Sequence, residues 1–551
     1  MNEFAKTGAM AGVAVVLTLL AVTMKPGEAR LSLFDDQGEA FFPGFTDGAA
    51  IAELELTAFR PESSSVYAFI VKRDEKGVWT IPSHGNYPAD ANDQMGKAAA
   101  MLIGLKKDSI VGDAKGRHAE YDLIDPLAEG VETKGRGKRL KLKDSAGNVL
   151  ADLIIGKEIE GKAGTYYCRL PEKKRIYKTK LAGALSTKFA DWIETDLLKA
   201  QDFNIQKVTF DNYSVDEQIG KVVPGEKLVI AKGAENKYVL EGLDAAKEET
   251  NEERANEIGT TLGSIKIVGV RAKPPGLTAR LERANGFEAQ ILQQQLQQKG
   301  YFMARGGKLY SNEGDLLFET KSGVRYTLRF GELVPGEGDE VTAGLGSEKP
   351  AADGDPKATA NNRYLMVTAE FDPALLEKPA GARLSEDELT KRKEARAMIE
   401  SIQAAVATFM TANEGKLPAA LTDLTVKPAE GEALLKELPV DPWGNQYQFE
   451  PAGDSYVVLS HGADGAAAGD GQNQDVRSDQ LPLEDALAAA AAEWTTYDEK
   501  VKTGEDEAAS LTKRFGPWYY VIDKALFDKL KPGRADLVTA KAADAEPGND
   551  K

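Results

Sequence analysis

Three aspartates in one loop, Asp464, Asp470 and Asp475, are the residues whose type and spacing best fit a chemistry. They fall within Gly462 to Asp475, a stretch so rich in Gly, Ala and Asp that it reads only as a loop. Clustered carboxylate and main-chain oxygens are what a hard cation such as calcium takes as ligands. The residues before it say how such a loop would be held. Pro439-Val440-Asp441-Pro442-Trp443-Gly444-Asn445 turns the chain at Asp-Pro and again at Gly-Asn. Tyr447 to Phe449 and Tyr456 to Leu459 then read as a hairpin. The bland alternative is a solvated acidic loop.

Other chemistries find less support. His84, His118 and His461 are the only histidines. His84 and His118 lie in Gly-flanked turns and read as surface residues rather than general bases, and neutral imidazole at His461 is a poor calcium ligand. Cys168 is the single cysteine, so no intrachain disulfide forms; in an alternating strand it reads as a buried thiol. Gly156-Lys157-Glu158-Ile159-Glu160-Gly161-Lys162-Ala163 nearly spells a phosphate-binding loop. Ala163 lacks the magnesium-binding hydroxyl, and Thr165 to Tyr167 continues as a strand where phosphates need a helix N-terminus. The basic run Lys134 to Lys143 alternates as a solvated strand face does. Phe515 and Trp518 to Tyr520 read as core. No catalytic set emerges, so the chain is expected not to be an enzyme. The alternatives are an envelope hydrolase acting on glycan or peptide and a calcium-dependent binding module.

The 551 residues require several domains. There are 69 basic and 87 acidic residues, a net charge of −18, which argues against a nucleic-acid partner. Gly8 to Met24 is an apolar, uncharged run between Lys6 and Lys25 and is expected to be an uncleaved signal anchor, with a cleaved signal as the alternative. A single-pass protein of the inner (cytoplasmic) membrane with its bulk extracytoplasmic follows.

The elements that would position the loop come in a recognisable order. After a tail and anchor at 1–24 and a juxtamembrane segment at 25–62, short strands and a helix suggest a first α+β module at 63–215. A second module, 216–383, carries an acidic disordered linker at 335–361. The order of elements from Val66 to Trp192 is loosely repeated from Lys227 to Phe371, which suggests tandem modules. Helices are expected at Leu185 to Lys199, Ala245 to Leu262, Gly286 to Lys299 and Ala433 to Leu438. From Ser385 a long helical stripe runs through Ala395, Ile399, Ile402 and Val406. An Ala-rich helix, Leu483 to Glu493, and a separate charged helix then lead to a strand at Trp518 to Ile522. Residues 384–480 thus read as an insert and 481–551 as the completion of the second module. The fold class is α+β, an N-terminal transmembrane helix followed by antiparallel-sheet/helix modules with the insert.

Two resemblances sharpen this. Glu394 to Asp479 resembles the globular part of the major pseudopilin of type II secretion, in its long helix, Gly415-Lys416-Leu417-Pro418, Leu438 to Asn445, and Tyr456 to Gly465. The resemblance implies a calcium ion that pins the final loop, with Asp464 and Asp475 as acidic ligands and the Leu459 carbonyl as a main-chain one. Gln474 stands where that family usually has an acid, and Asp470 is the substitute at hand. The family's methylated N-terminal helix and processing signature are absent, so this copy is not expected to polymerise as a pilin. The flanks resemble an uncharacterised bacterial domain-of-unknown-function family of membrane-anchored proteins, often encoded beside gliding-type ABC-2 transport components. The matching residues are Trp79 to Pro82, Tyr87 to Asp90, Tyr121 to Pro126, Leu153 to Lys157 and Thr165 to Arg169. This resemblance covers about residues 60–215, resumes at Asp315 to Phe330 and Leu511 to Val521, and implies an accessory role at an envelope transport or secretion complex. It carries over no catalytic residue and no small-molecule substrate.

Overall fold

In the computed structural model, residues 3–23 and 36–541 are described, apart from 62–63, 195, 217, 234, 275–276, 278–285, 305–307, 335–338, 344–361 and 430. The N-terminal helix α1 (Glu3–Thr23) covers most of the expected apolar run and leaves Met10, Val13, Val15, Val16, Leu17 and Leu19 exposed. Among the described residues no helix is long and apolar enough to cross a membrane. Juxtamembrane residues 25–35, linker residues 344–361 and tail residues 542–551 lie outside the described residues.

Period-two alternation builds the first sheet. Its strands are β1 (Glu53–Arg60), β2 (Ser65–Arg73), β3 (Trp79–Ile81), β4 (Tyr87–Pro88), β5 (Ser109–Gly112), β6 (Lys138–Lys143), β7 (Val149–Glu158), β8 (Thr165–Arg169) and β9 (Ile176–Lys180). They pair antiparallel in the order β4-β3-β2-β1-β6-β7-β8-β9-β5. Leu54 and Leu56 oppose Leu142 and Leu140, all buried, while Arg139, Lys141 and Lys143 alternate onto the other face. There they meet Asp152 at 2.7 and 3.8 Å and Glu53 at 2.5 Å, so most of the expected basic face is neutralised within the sheet. The helix α2 (Asn92–Leu102) adds Met95, Ala98, Met101 and Leu102 to the same core.

The second sheet takes β10 (Ile205–Asp211), β11 (Lys227–Lys232), β12 (Tyr238–Leu240), β13 (Gly269–Ala272), β14 (Asp315–Thr320), β15 (Val324–Val334) and β16 (Asn362–Phe371). Helix α3 (Glu252–Leu262) precedes β13, α4 (Gly286–Gln297) follows it, and α5 (Asp339–Ala343) follows β15. The chain then leaves the sheet. It forms α6 (Glu386–Ala412) and a small sheet of β17 (Gln448–Ala452), β18 (Ser455–Ser460) and β19 (Val476–Arg477). It returns along the 35-residue α7 (Leu481–Phe515) to β20 (Trp518–Asp523) and α8 (Lys524–Leu530). The second sheet runs β12-β11-β10-β14-β15-β16-β20-β13. Apart from β4, which has no counterpart, this is the path of the first: β12 and β11 take the places of β3 and β2, β10 of β1, β14 of β6, β15 of β7, β16 of β8, β20 of β9 and β13 of β5. A helix lies between corresponding strands in both, α2 in one and α3 in the other. The two sheets share one core, with Tyr87 meeting Trp518 edge-on at 4.9 Å. The repeat is one of topology, and the insert sits between its last two consecutive strands.

Several expectations change. The first unit starts at β1, inside the presumed juxtamembrane segment, and β10 belongs to the second sheet because Val208 and Phe210 bury against Phe318 and Leu316. Leu185 to Lys199 is no helix beyond a short 3₁₀ turn at Phe189–Trp192. The Glu194 and Asp196 carboxylates take the N–H groups of Asp196 and Lys199, local bonds that compete with a helix. The helix expected from Ala245 begins only at Glu252, where the Asn251 side chain caps it. Ala433 to Leu438 is a series of bends. The two helices expected after Asp479 are one, α7, since nothing between them breaks it. Within the expected linker, Asp339–Ala343 forms α5.

Candidate functional site

The insert is organised around Asp441, only 3% exposed. Its Oδ1 accepts the N–H groups of Trp443 (3.1 Å) and Asn445 (2.7 Å), and its Oδ2 accepts the Ser460 hydroxyl at 2.5 Å. The turn needs Gly444, whose φ is +97°. Ser460 Oγ in turn accepts the Gly462 N–H, and the Asn445 amide donates to the Gly462 carbonyl. The Asp-Pro-Trp-Gly-Asn motif thus fixes the entry to the aspartate loop through the side chains of Asp441, Ser460 and Asn445.

The same turn reaches a buried ion network. Trp443 Nε1 donates to Glu388 Oε2 at 3.0 Å. One helical turn on, Arg392 forms a two-pronged pair with Glu484 of α7, Nε to Oε2 at 2.9 Å and Nη2 to Oε1 at 2.6 Å. Its Nη1 donates to the Gln474 carbonyl of the loop at 2.8 Å. All three charged residues are buried. Arg392 therefore joins α6, the loop and the start of α7 at one point, the planar fork geometry that lysine lacks. Glu388 and Arg392 continue the buried stripe of Ala395, Ile399, Ile402 and Val406 by helical spacing. That continuation, two charges on an apolar stripe, was the overlooked signal in the sequence.

The four residues expected to hold calcium are not gathered. Leu459 lies in the central strand β18, in register with Gln448 on one side and Arg477 on the other. Asp464 is exposed and accepts the Ala466 N–H at 3.1 Å; Asp470 is exposed, and its carbonyl accepts the Asn473 N–H. Of the three aspartates only Asp475 is buried, at 7% exposure. Its Oδ2 accepts the Ala468 N–H at 3.1 Å and its Oδ1 faces His461 Nδ1 at 3.4 Å. Among the described residues no group of three or more His, Cys, Asp or Glu side chains could hold a metal ion. The Arg392 guanidinium already stands against one of the loop's carbonyls. In this arrangement the loop is held by protein hydrogen bonds from Asn445, Ala468, Gly462 and Arg392.

The remaining candidates are structural. His84 is buried and stacks on Phe189 at 4.2 Å, with Nδ1 2.9 Å from the Ser83 hydroxyl. His118, also buried, bonds the Lys174 carbonyl through Nε2, and burial pushes its pKa down. Both were expected at the surface. Cys168 is buried, and desolvation pushes its thiol well above the ordinary range. Gly156 lies within strand β7, which runs on to Glu158, and Trp518 to Tyr520 are core.

Fold and site together define a class: an α+β protein of two like antiparallel sheets, the second interrupted by a pseudopilin-like domain. Family models fall on both parts. Residues 79–283 match a domain of unknown function, DUF4340, across the junction of the two sheets. Residues 383–479, α6 to just past β19, match protein G of the type II secretion system. No curated protein matches the chain.

Proposed function

We propose that this chain is a non-enzymatic accessory or scaffold subunit of an envelope secretion- or transport-type assembly, including assemblies built on an ABC transporter. In this reading α1 anchors it in the inner membrane and the sheets stand on the extracytoplasmic side. The observation that carries the reading is the insert: a stretch similar to protein G of type II secretion lies between two neighbouring strands of a larger sheet. A pilin-like subunit assembles through a helix at its own N-terminus, whereas α6 lies in mid-chain and Arg392 ties it to Glu484 of α7. Such a domain is displayed rather than polymerised. The exposed apolar side chains of α1 support the anchoring part, since Val and Leu at that exposure belong in lipid or against a partner.

Crosslinking in intact membranes, followed by purification through a C-terminal tag, tests the reading. Recovery of secretion or ABC-transporter components is expected. Recovery of the chain alone refutes it, and release by alkaline carbonate refutes the anchor.

A further inference from the structure

We infer that the first sheet carries a binding pocket for a small anionic amphiphile, a short apolar tail ending in a carboxylate or phosphate. A cavity of about 240 Å³ opens among β1, β6, β7, β8, the end of α2 and the loop after β9. Leu56, Met101, Leu140, Ile155 and Leu181 give it apolar walls. One further wall is the turn at Asp122, whose φ is +54°. That turn can lie on the sheet only because glycines face it. A Cβ on Gly137 would stand 2.6 Å from the Asp122 carbonyl, and one on Gly156 would strike the Tyr121 carbonyl. The glycine of the near-phosphate loop is thus explained by close backbone packing beside this cavity.

The cavity is basic as well as apolar. Arg136 lines it, but its guanidinium is spent on the carbonyls of Pro126, Val131 and Glu132. Lys138 and Lys157 also line it and are exposed. Arg139, Lys141 and Lys143 on the opposite face of β6 are each paired with a carboxylate. Lys138 has no such pair among the described residues, and Lys157 stands 5.7 Å from the Tyr121 ring. Asp122 is the one acidic lining residue, so the lining is net positive. Ammonium groups beside an apolar hollow suit a ligand with a negative head.

The second sheet supplies an internal control. Its register places Phe210 and Leu316 where the first has Leu56 and Leu140, and Phe330 where it has Ile155. There Phe330 packs edge-on against Phe527 of α8 at 5.2 Å, and Leu530 is buried behind it. In the first sheet β9 is followed by the loop Leu181 to Leu185 instead of a helix. The hollow therefore belongs to this sheet alone and not to the shared topology. Its volume lies below the roughly 300–1,000 Å³ of pockets for drug-sized ligands, so the tail is short.

Equilibrium dialysis of the full chain in zwitterionic nanodiscs, with empty discs as the blank, tests this. Saturable binding of octanoate or octyl phosphate is expected, and the tighter of the two identifies the head. Lys138→Gln with Lys157→Gln should weaken it about tenfold, and Ala184→Trp, at an exposed lining position, should block it. Unchanged melting temperatures of these surface variants show that folding is intact. Equal binding of octyl glucoside overturns the proposal, as does inorganic phosphate binding as tightly as octyl phosphate. So does an absence of saturable binding of both anions at millimolar concentration, or binding that Ala184→Trp leaves intact.

Discussion

Arg392 shows what a single buried charge does here. Its guanidinium satisfies Glu484 and the Gln474 carbonyl in a site that is shut off from water. Removing it leaves Glu484 buried and uncompensated. Arg392→Met should therefore cost about 3–5 kcal/mol in urea unfolding. Arg392→Met with Glu484→Met should recover only part of that, because the Glu484 charge goes with its partner while Glu388, 3.7 Å from Arg392, stays buried without its cation. A double variant as unstable as the single one would show that the clamp is more than electrostatic. Asp36 works differently, at the surface of the first unit. Burial by itself would raise its carboxyl, but the Tyr177 hydroxyl, Lys107 and Arg175 outweigh burial and bring it down to about 2. A carboxyl lowered on folding adds stability that is fully present above its unfolded value, about 3.9, and is lost as the pH falls through its folded value. The melting-temperature advantage over Asp36→Asn should hold above pH ~5 and shrink between pH ~4 and ~2. An advantage that grew on acidification would contradict the assignment. At this scale the sequence directed attention to Asp464, Asp470 and Asp475 for their oxygens. The fold makes Asp441 the organiser, because only position within a buried turn separates one aspartate from another.

Elements were legible where one face is buried and the other wet. Glu53-Leu54-Glu55-Leu56 and Arg139-Leu140-Lys141-Leu142 alternate as they fold, and α6 shows its stripe. The failures share a cause: in Leu185 to Lys199 the apolar residues Phe189, Trp192, Ile193, Leu197 and Leu198 are all buried, so helical spacing could be read into a packed irregular segment. The helix α7 makes a sharper test. Gly504 lies where the helix meets the second sheet, and a Cβ there would strike the Phe371 ring and the Ser322 carbonyl. Gly→Ala in an exposed helix stabilises by up to about 1 kcal/mol. Gly504→Ala should instead destabilise by about 1–3 kcal/mol, the cost of overpacking. A stabilised variant would mean that α7 stands off the sheet. The aspartate loop is held by hydrogen bonds that involve Ser460, Asn445, Ala468 and Arg392. Comparing the melting temperature in calcium with that in chelator tests the expected ion: a rise with calcium would show the loop regrouping Asp464 and Asp475 around it, and equal values would show that the hydrogen bonds suffice.

At the scale of the molecule, the tandem order of elements could be read from the chain, but the pairings could not. Leu56 meets Leu140, and Leu365 meets Tyr520 across the whole insert; no local period encodes such distant partners. The pocket of the first sheet was equally hidden, because it depends on a helix that the second sheet has after its last strand and the first lacks. The insert itself was marked by its motif, and its attachment predicts how it can be removed. At its root Gly381 packs against Ala490 of α7, and its carbonyl accepts the Trp494 indole N–H at 2.9 Å. The two ends of the excursion therefore lie side by side. A chain in which residues 382–489 are replaced by a short Gly-Ser linker should keep β16 beside β20 and melt cooperatively. A chain that stops after Phe371 loses β20 and with it Trp518, Tyr520 and Ile522 from the shared core. It also leaves β16 as an open apolar edge, so it should aggregate. If the excised chain also fails to fold, the insert is part of the second unit's core rather than cargo mounted on it. Secretion or transporter components that still copurify with the excised chain would assign partner binding to the two sheets, and their loss would assign it to the insert.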